Sequence, residues 1–404
     1  MNAKRAKGNN RQRGRDAKSL AFPARAILEA VEPRRLFTNS IYAFPGADGH
    51  MLYQPQPLGD KIEDYSTAGF QGGTVPIPDV PVKVTVSPIA GDDAANIQNA
   101  INTVSALPLD ANGFRGAVYL NPGTYEVGTS ISITTSGVVL RGAGPTLTLI
   151  HATGTGERTI VKLDGSGTRS AVSGTTHTIT DKYVPVGAIS FKVDSTAGLS
   201  VGDTVVVHRP STQQWINDIG MNLLTNPWTP GSKDIDMDRT ITHIDGNVIT
   251  IDAPITQALD VKYTDASQGN NTIYKYTATG RINNVGVEGI GGYSDFVAVA
   301  GDTTQVKNDE DHPWIFVNID GATNAWARDL ESQYFGYSCV TVTGNSKYVT
   351  VEDSECLDPV SQITGGRRYS FLDDDAQMVL FRNLYTREGR HDFVEGSKIG
   401  RAHV

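Results

Sequence analysis

Just beyond residue 93 the chain reads AANIQNAINTVSAL, where Ile97, Ala100, Ile101 and Val104 recur at the three-to-four-residue spacing that gathers apolar side chains on one side of a helix. Asp92 or Asp93 is suited to cap its first turn. After this helix the period drops to two. Short apolar runs at 117–120, 125–127, 131–133, 138–140 and 147–150 are parted by turn clusters such as Asn121-Pro122-Gly123 and predict strands. A further set follows at 315–319, 339–343, 369–373 and 392–396. Between these, WARDLES (326–332), VTVEDSEC (349–356) and LFRNLYT (380–386) align so that Asp329, Asp353 and Asn383 correspond, at spacings of 24 and 30 residues. Repeats of this length predict the coils of a solenoid, each with at least two strands stacked ~4.8 Å above their counterparts. Residues 183–262 break the rhythm: FKVDSTAGLSVGDTVVVHRP and RTITHIDGNVITIDAPI read as hairpins, the second turning on Asp245-Gly246.

Three segments, GDDAANIQNAI, GAVYLNPGTYEV and GVVLRGAG, resemble the opening of the pectate-lyase-like, right-handed parallel β-helix proteins, and the likeness covers residues 84–150. It implies an all-β right-handed parallel β-helix with a capping helix over its first rung, into which 183–262 is inserted as a small antiparallel β-domain. A cap is physically apt, because an unpaired first rung invites other strands to add to it. The expected division is a head at 1–37, an extended Pro- and Gly-rich lead-in at 38–84, cap and first coils at 85–182, the insert, and further coils at 263–398. The scaffold does not choose a reaction, since unrelated chemistries share it.

Residues 1–37 hold ten Lys/Arg and three Asp/Glu, leaving 25 basic against 41 acidic side chains in the rest. The first nineteen residues lack any apolar period and are expected to be disordered. An acidic body argues against nucleic acid as a partner, and no apolar stretch is long enough for a membrane span. Glu32-Pro33-Arg34-Arg35-Leu36-Phe37 resembles the LEPR-XLL motif found near the start of many bacterial surface and secreted proteins, which implies secretion or display at the cell surface. The apolar run and cleavage site of a standard signal peptide are not seen. At the other end, residues 399–404 are similar to a translated sequencing adapter, so the natural sequence is expected to stop near Ser397, the chain to be a fragment, and His403 to belong to no site.

The candidate chemistry gathers where the later strands begin. His312 and Trp314, then Tyr337, then Arg367 and Arg368, then Arg390 and His391 should fall within a rung or two of each other. Arginine pairs with carboxylates, and His and Tyr can move protons. This set suits a lyase that cleaves a uronate-containing acidic polysaccharide by β-elimination, with Arg367 and Arg368 neutralising the carboxylate, His391 as base, Tyr337 as acid and Arg390 orienting the sugar. Salt bridges to nearby acids would explain the same residues structurally. A glycoside hydrolase would instead use two carboxyl groups, for which Asp353, Glu355, Asp358, Asp373, Asp392 and Glu395 are candidates. A surface adhesin binding glycans is the non-enzymatic alternative. No cofactor is required; Ca²⁺ is considered at Asp309-Glu310-Asp311, Asp373-Asp374-Asp375 and Asp234-x-Asp236-x-Asp238, with solvated acidic loops as the plainer account. Trp215 and Trp228 either stack on sugar or anchor the insert. Cys339 and Cys356 are expected as free thiols filling the interior, although a bridge between coils is geometrically allowed. The protein is expected to act as a monomer.

Overall fold

The computed structural model describes residues 40–166, 168–297 and 308–396. The basic head with its LEPR-XLL-like motif and the adapter-like tail lie outside these residues. The chain is a right-handed parallel β-helix of three-faced coils. The first face stacks Ile131–Ile133, Thr159–Asp164, Ile315–Asp320, Ser338–Thr343, Tyr369–Asp374 and His391–Glu395 in that order. The second and third faces share long strands, Ile282–Ser294, Ala322–Gln333, Lys347–Leu357 and Gln377–Arg387, each bent midway. Earlier rungs supply the two faces separately: Val138–Arg141 and Thr148–Ala152 both pair with Ile282–Ser294. Coils on either side of the insert therefore form one solenoid.

The bend explains the sequence repeat. Gly289, Asp329, Asp353 and Asn383 stand in register with φ of 66°, 52°, 51° and 52°. A left-handed backbone costs an L-residue roughly 1–2 kcal/mol, and Asn, Asp and Gly bear it best. A second left-handed column, Asn284, Asn324, Tyr348 and Met378, marks where the second face begins. Helix α1 (Ala94–Ser105) buries Ile97, Ala100, Ile101 and Val104 in the core. Asp92 tends its first turn, accepting the Ala94 N–H at 2.9 Å, while the buried Asp93 accepts from Ile89 at 3.0 Å.

The lead-in lies against the second face: Phe70 packs edge-on to Trp326 at 5.3 Å, and its N–H donates to Thr350 Oγ1 at 2.8 Å. Trp326 fits because Gly286 lies in the next rung, where any Cβ would fall inside the indole; Gly292 makes the same room for Phe316.

The insert's antiparallel strands run from Thr168–Ala171 to Thr272–Thr279, wider at both ends than 183–262. Its Asp245-Gly246 hairpin is present, joining Ile235–Asp245 to Val248–Ile251. The other expected hairpin is not. Ser190–Lys192 pairs with Val248–Ile251, whereas Thr204–Arg209 lies between Ile235–Asp245 and Thr272–Thr279. Val205, Val206 and Val207 are all buried, so both faces of this strand are covered, which suits its central place between two partners.

A second correction concerns the cysteines. Cys339 and Cys356 form a disulfide, with Cα atoms 5.8 Å apart, instead of remaining free thiols. One starts a first-face strand and the other ends the third-face part of the same coil, so 17 residues of chain return to their starting point and the bridge closes the coil.

Gly286→Ala and Gly292→Ala are expected each to cost about 1–3 kcal/mol through overpacking, read as a lowered urea midpoint. Gly365→Ala, whose added Cβ would meet nothing within 4 Å, should stay within about 0.5 kcal/mol of the parent.

Candidate functional site

Third-face strands hand over to the next first-face strands through connections at 334–337, 358–368 and 388–390, which stack along one edge of the solenoid. Ring side chains at the starts of the first-face strands meet there. Trp314 stacks on Tyr337 (6.1 Å, 3° between planes), Tyr337 meets Tyr369 edge-on at 5.5 Å, and Tyr369 meets His391 at 5.4 Å. Register sets Trp314 beside Tyr337 and Tyr369 beside His391 in neighbouring columns one residue apart, and the Tyr337–Tyr369 contact joins the two. Arg367 lies 5.0 Å from the Trp314 ring centroid, and its Nε donates to Glu310 Oε2 at 2.6 Å. Glu310 also accepts from Ser361 Oγ and the Gln362 N–H, tying the residues before Ile315 to the 358–368 connection.

The remaining expected residues divide. Arg390 is half-buried and His391 exposed at the end of the ladder. His312 is 1% exposed, held between Ser294 Oγ at 2.9 Å and the Val360 carbonyl at 2.8 Å, so it braces the edge from within. Arg368 is 6% exposed and donates to the Ser361 carbonyl at 3.0 Å, so its guanidinium faces protein where a carboxylate-neutralising group would face solvent. Trp215 and Trp228 belong to the insert and pack on each other at 5.9 Å, with Arg209 4.4 Å from the Trp215 ring centroid. Tyr369 was not singled out in the sequence, although it occupies the ladder between two residues that were. Burial, with a smaller push from Asp374, raises the Tyr337 phenol above its ordinary value.

The third face carries a second constellation, most of which the sequence reading missed. Its outward positions follow the bend: two residues beyond Asp329, Asp353 and Asn383 come Glu331, Glu355 and Tyr385, in register on neighbouring rungs. The repeat alignment already contained this column. Burial and the charge of Glu355 raise the Glu331 carboxyl above its usual value, with Arg387 opposing. Tyr385 is 53% exposed. Beside it runs the column Glu126, His151, Tyr293 and Gln333. His151 is gripped on both sides, by Glu126 at Nδ1 and Asp295 at Nε2, each at 2.8 Å, and stacks on Tyr293 at 4.5 Å. Gln333 and Arg387 both donate to Asp358.

No protein-family model and no curated protein matches this chain. Among solved structures it is similar to the tailspike protein gp49 of Pseudomonas phage LKA1, at 16% identity over 72% of this chain and 39% of that one, with a TM-score of 0.42. It is also similar to the tailspike gp61 of Pseudomonas phage phi297, at 14% identity over 74% and 42% of the two chains, with a TM-score of 0.39. An iota-carrageenase complexed to iota-carrageenan fragments matches at 11% identity over 80% and 44%, with a TM-score of 0.35. The chain spans about two fifths of the length of these structures.

The acidic triplets do not converge. Asp309 accepts the N–H groups of Val297 and Asp311, Asp311 accepts from Gly156, and Glu310 holds Arg367. Asp234 and Asp236 flank His208, while Asp238 turns to Arg281 and Lys347. Asp373, which continues the interior column of Ile319 and Val342, caps Ala376 and is pushed up to about 8 by burial and then by Glu395. Among the described residues, no group of three or more His, Cys, Asp or Glu side chains is placed to hold a metal, and no helix is long and apolar enough to cross a membrane.

Burial works against the His151 imidazolium, but the hydrogen bonds and charges of Asp295 and Glu126 prevail and raise its pKa. A raised folded-state value stabilises the fold fully below the unfolded value of ~6.5, and that contribution fades as pH rises through the folded value. The stability difference between the protein and its His151→Gln variant should therefore be largest near pH 5 and shrink above neutrality, as measured by urea unfolding across pH. A pH-independent difference would contradict the clamp.

Proposed function

We propose that the protein is a polysaccharide hydrolase that acts outside the cytosol. The observation that carries this reading is the Glu331–Glu355 pair, two carboxyl groups on adjacent rungs of an outward face, one of them raised by burial and then by the charge of the other. Hydrolysis of a glycosidic bond asks for this division: a carboxyl that keeps its proton to give to the leaving oxygen, and a carboxylate facing the sugar carbon. By placement, the half-buried Glu331 is assigned the first role and the exposed Glu355 the second. Rungs lie ~4.8 Å apart, closer to the ~5–5.5 Å separation of retaining enzymes than to the ~6.5–9.5 Å that an inverting water needs. Cleavage with retention is the expected course. Tyr385 and Tyr293 flank the pair and offer ring faces to neighbouring sugars, and the Trp314–Tyr337–Tyr369–His391 ladder extends a stacking surface along the adjoining edge. The Cys339–Cys356 bridge fits an oxidising compartment.

Elimination on a uronate polymer remains the second reading, favoured by the exposed His391 at the end of the ladder. It would run through His391 as base, Tyr337 as acid and Arg390 as the cation, because Arg367 is paired with Glu310 and Arg368 is buried.

Product chemistry separates the two. The protein should release reducing ends without the ultraviolet absorbance of an unsaturated uronate, and Glu331→Gln or Glu355→Gln should each lower kcat by about 10²–10⁴ while binding persists. Absorbing products that vanish in His391→Ala would establish elimination instead. Binding without cleavage across acidic and neutral polymers would make the protein an adhesin.

A further inference from the structure

A separate cavity of ≈ 350 Å³ opens at the seam where the lead-in, the insert and the start of the second face meet, lined among others by Gln71, Arg281, Thr323, Asn324, Lys347 and Tyr348. Its volume falls in the ~300–1,000 Å³ range of small-molecule sites. We propose that this seam binds one negatively charged sugar unit, a site distinct from the ladder and from the Glu331–Glu355 pair.

Charge is the first argument. Tyr276 lies between two guanidiniums, Arg169 and Arg281, each 5.9 Å from its ring centroid, and its hydroxyl donates to Asp238 at 2.5 Å. Asp238 pairs with Arg281 and Lys347, each at 3.2 Å, and Lys347 reaches Asp252 at 3.3 Å. Arg281 and Lys347 line the cavity together with Asp238, and the half-buried Arg169, outside the lining, adds a third cation acting on Asp238, within a body that is otherwise strongly acidic.

Unmet hydrogen bonding is the second. Arg281 Nε and Thr323 Oγ1, both in the lining residues, are buried without a hydrogen-bond partner, against the general rule that buried polar groups are satisfied. Donors and acceptors ring the space: Gln71 from the lead-in, held by its N–H to Asn324 Oδ1 at 3.3 Å, Thr323 and Asn324 from one rung, and Tyr348 from the next. The Tyr348 hydroxyl is directed to Asp252, leaving the ring face beside Lys347. An acidic group meeting Arg281 and Lys347, with hydroxyls meeting Gln71 and Thr323, matches these parts; a neutral sugar would leave the charge unanswered. Carboxylate and sulfate ester share this chemistry.

Calorimetric titration of the full chain tests it with three short oligosaccharides: uronate, sulfated neutral, and unmodified neutral. At least one anionic probe should bind tenfold or more tightly than the neutral one, and the stronger of the two identifies the group recognised. Arg281→Gln should remove that preference. Gln71→Ala, outside the charge network, should weaken anionic binding several-fold with unchanged thermal melting, which keeps the test valid if Arg281→Gln fails to fold. Glu331→Gln should leave anionic binding unaltered, so failed catalysis and a failed seam site remain distinguishable. Equal affinity for anionic and neutral probes overturns the proposal, as does anionic binding that survives Gln71→Ala and Arg281→Gln but is lost in Trp314→Ala.

Discussion

A single left-handed residue at each bend is the constraint on which the rest of this molecule depends. Asp329, Asp353 and Asn383 carry that conformation in register, and each turns a long strand from the second face to the third. The strain costs roughly 1–2 kcal/mol per bend for an L-residue, and the hydrogen-bonded stack of neighbouring rungs holds it. Asn383 Nδ2 donating to Asp353 Oδ1 at 3.1 Å shows the stack holding itself. Because the bend fixes parity, it also decides which side chains point out beyond it. Leu330, Ser354 and Leu384 turn towards the core, and Glu331, Glu355 and Tyr385 alternate with them.

The insert could have broken this regularity and does not, because it docks through buried charge instead of through strand pairing. Arg239 donates to the carbonyls of Ala253 and Pro254 and to Gln377 Oε1, so a coil residue holds an insert guanidinium. Lys347 repeats the arrangement with Asp238 and Asp252. Removing one partner of such a buried pair typically costs ~3–5 kcal/mol, which makes this docking specific in a way that an apolar contact is not. The first-face strands Thr159–Asp164 and Ile315–Asp320, either side of the insert, pair directly as if it were absent.

Local pattern made much of this legible. The helical spacing of Ile97, Ala100, Ile101 and Val104 and the alignment of Asp329, Asp353 and Asn383 are short-range signals, and the structure places them as the spacing implies. What stayed hidden depends on connections of unequal length. His312 and Arg368 lie within two residues of ladder residues, yet the loops fold them inwards onto Val360 and Ser361. The disulfide was obscured because one coil's closure distance is not a rung step. Glu331 was overlooked for a different reason. Its partner Glu355 was noted among many acids, but only reading two residues past the aligned bend pairs them across rungs.

The proposed function makes one physical claim: a polymer would lie along the third face and the adjoining ladder, with its scissile bond over the Glu331–Glu355 pair. Crystallographic analysis of the Glu331→Gln protein soaked with an oligosaccharide of the cleaved polymer tests that claim most directly. The account predicts sugar density spanning Tyr293 and Tyr385, with an anomeric carbon facing Glu355 and further units reaching the Trp314 ladder. Ordered sugar that leaves the third face bare, with its anomeric carbon at His391 or in the seam cavity alone, would contradict it.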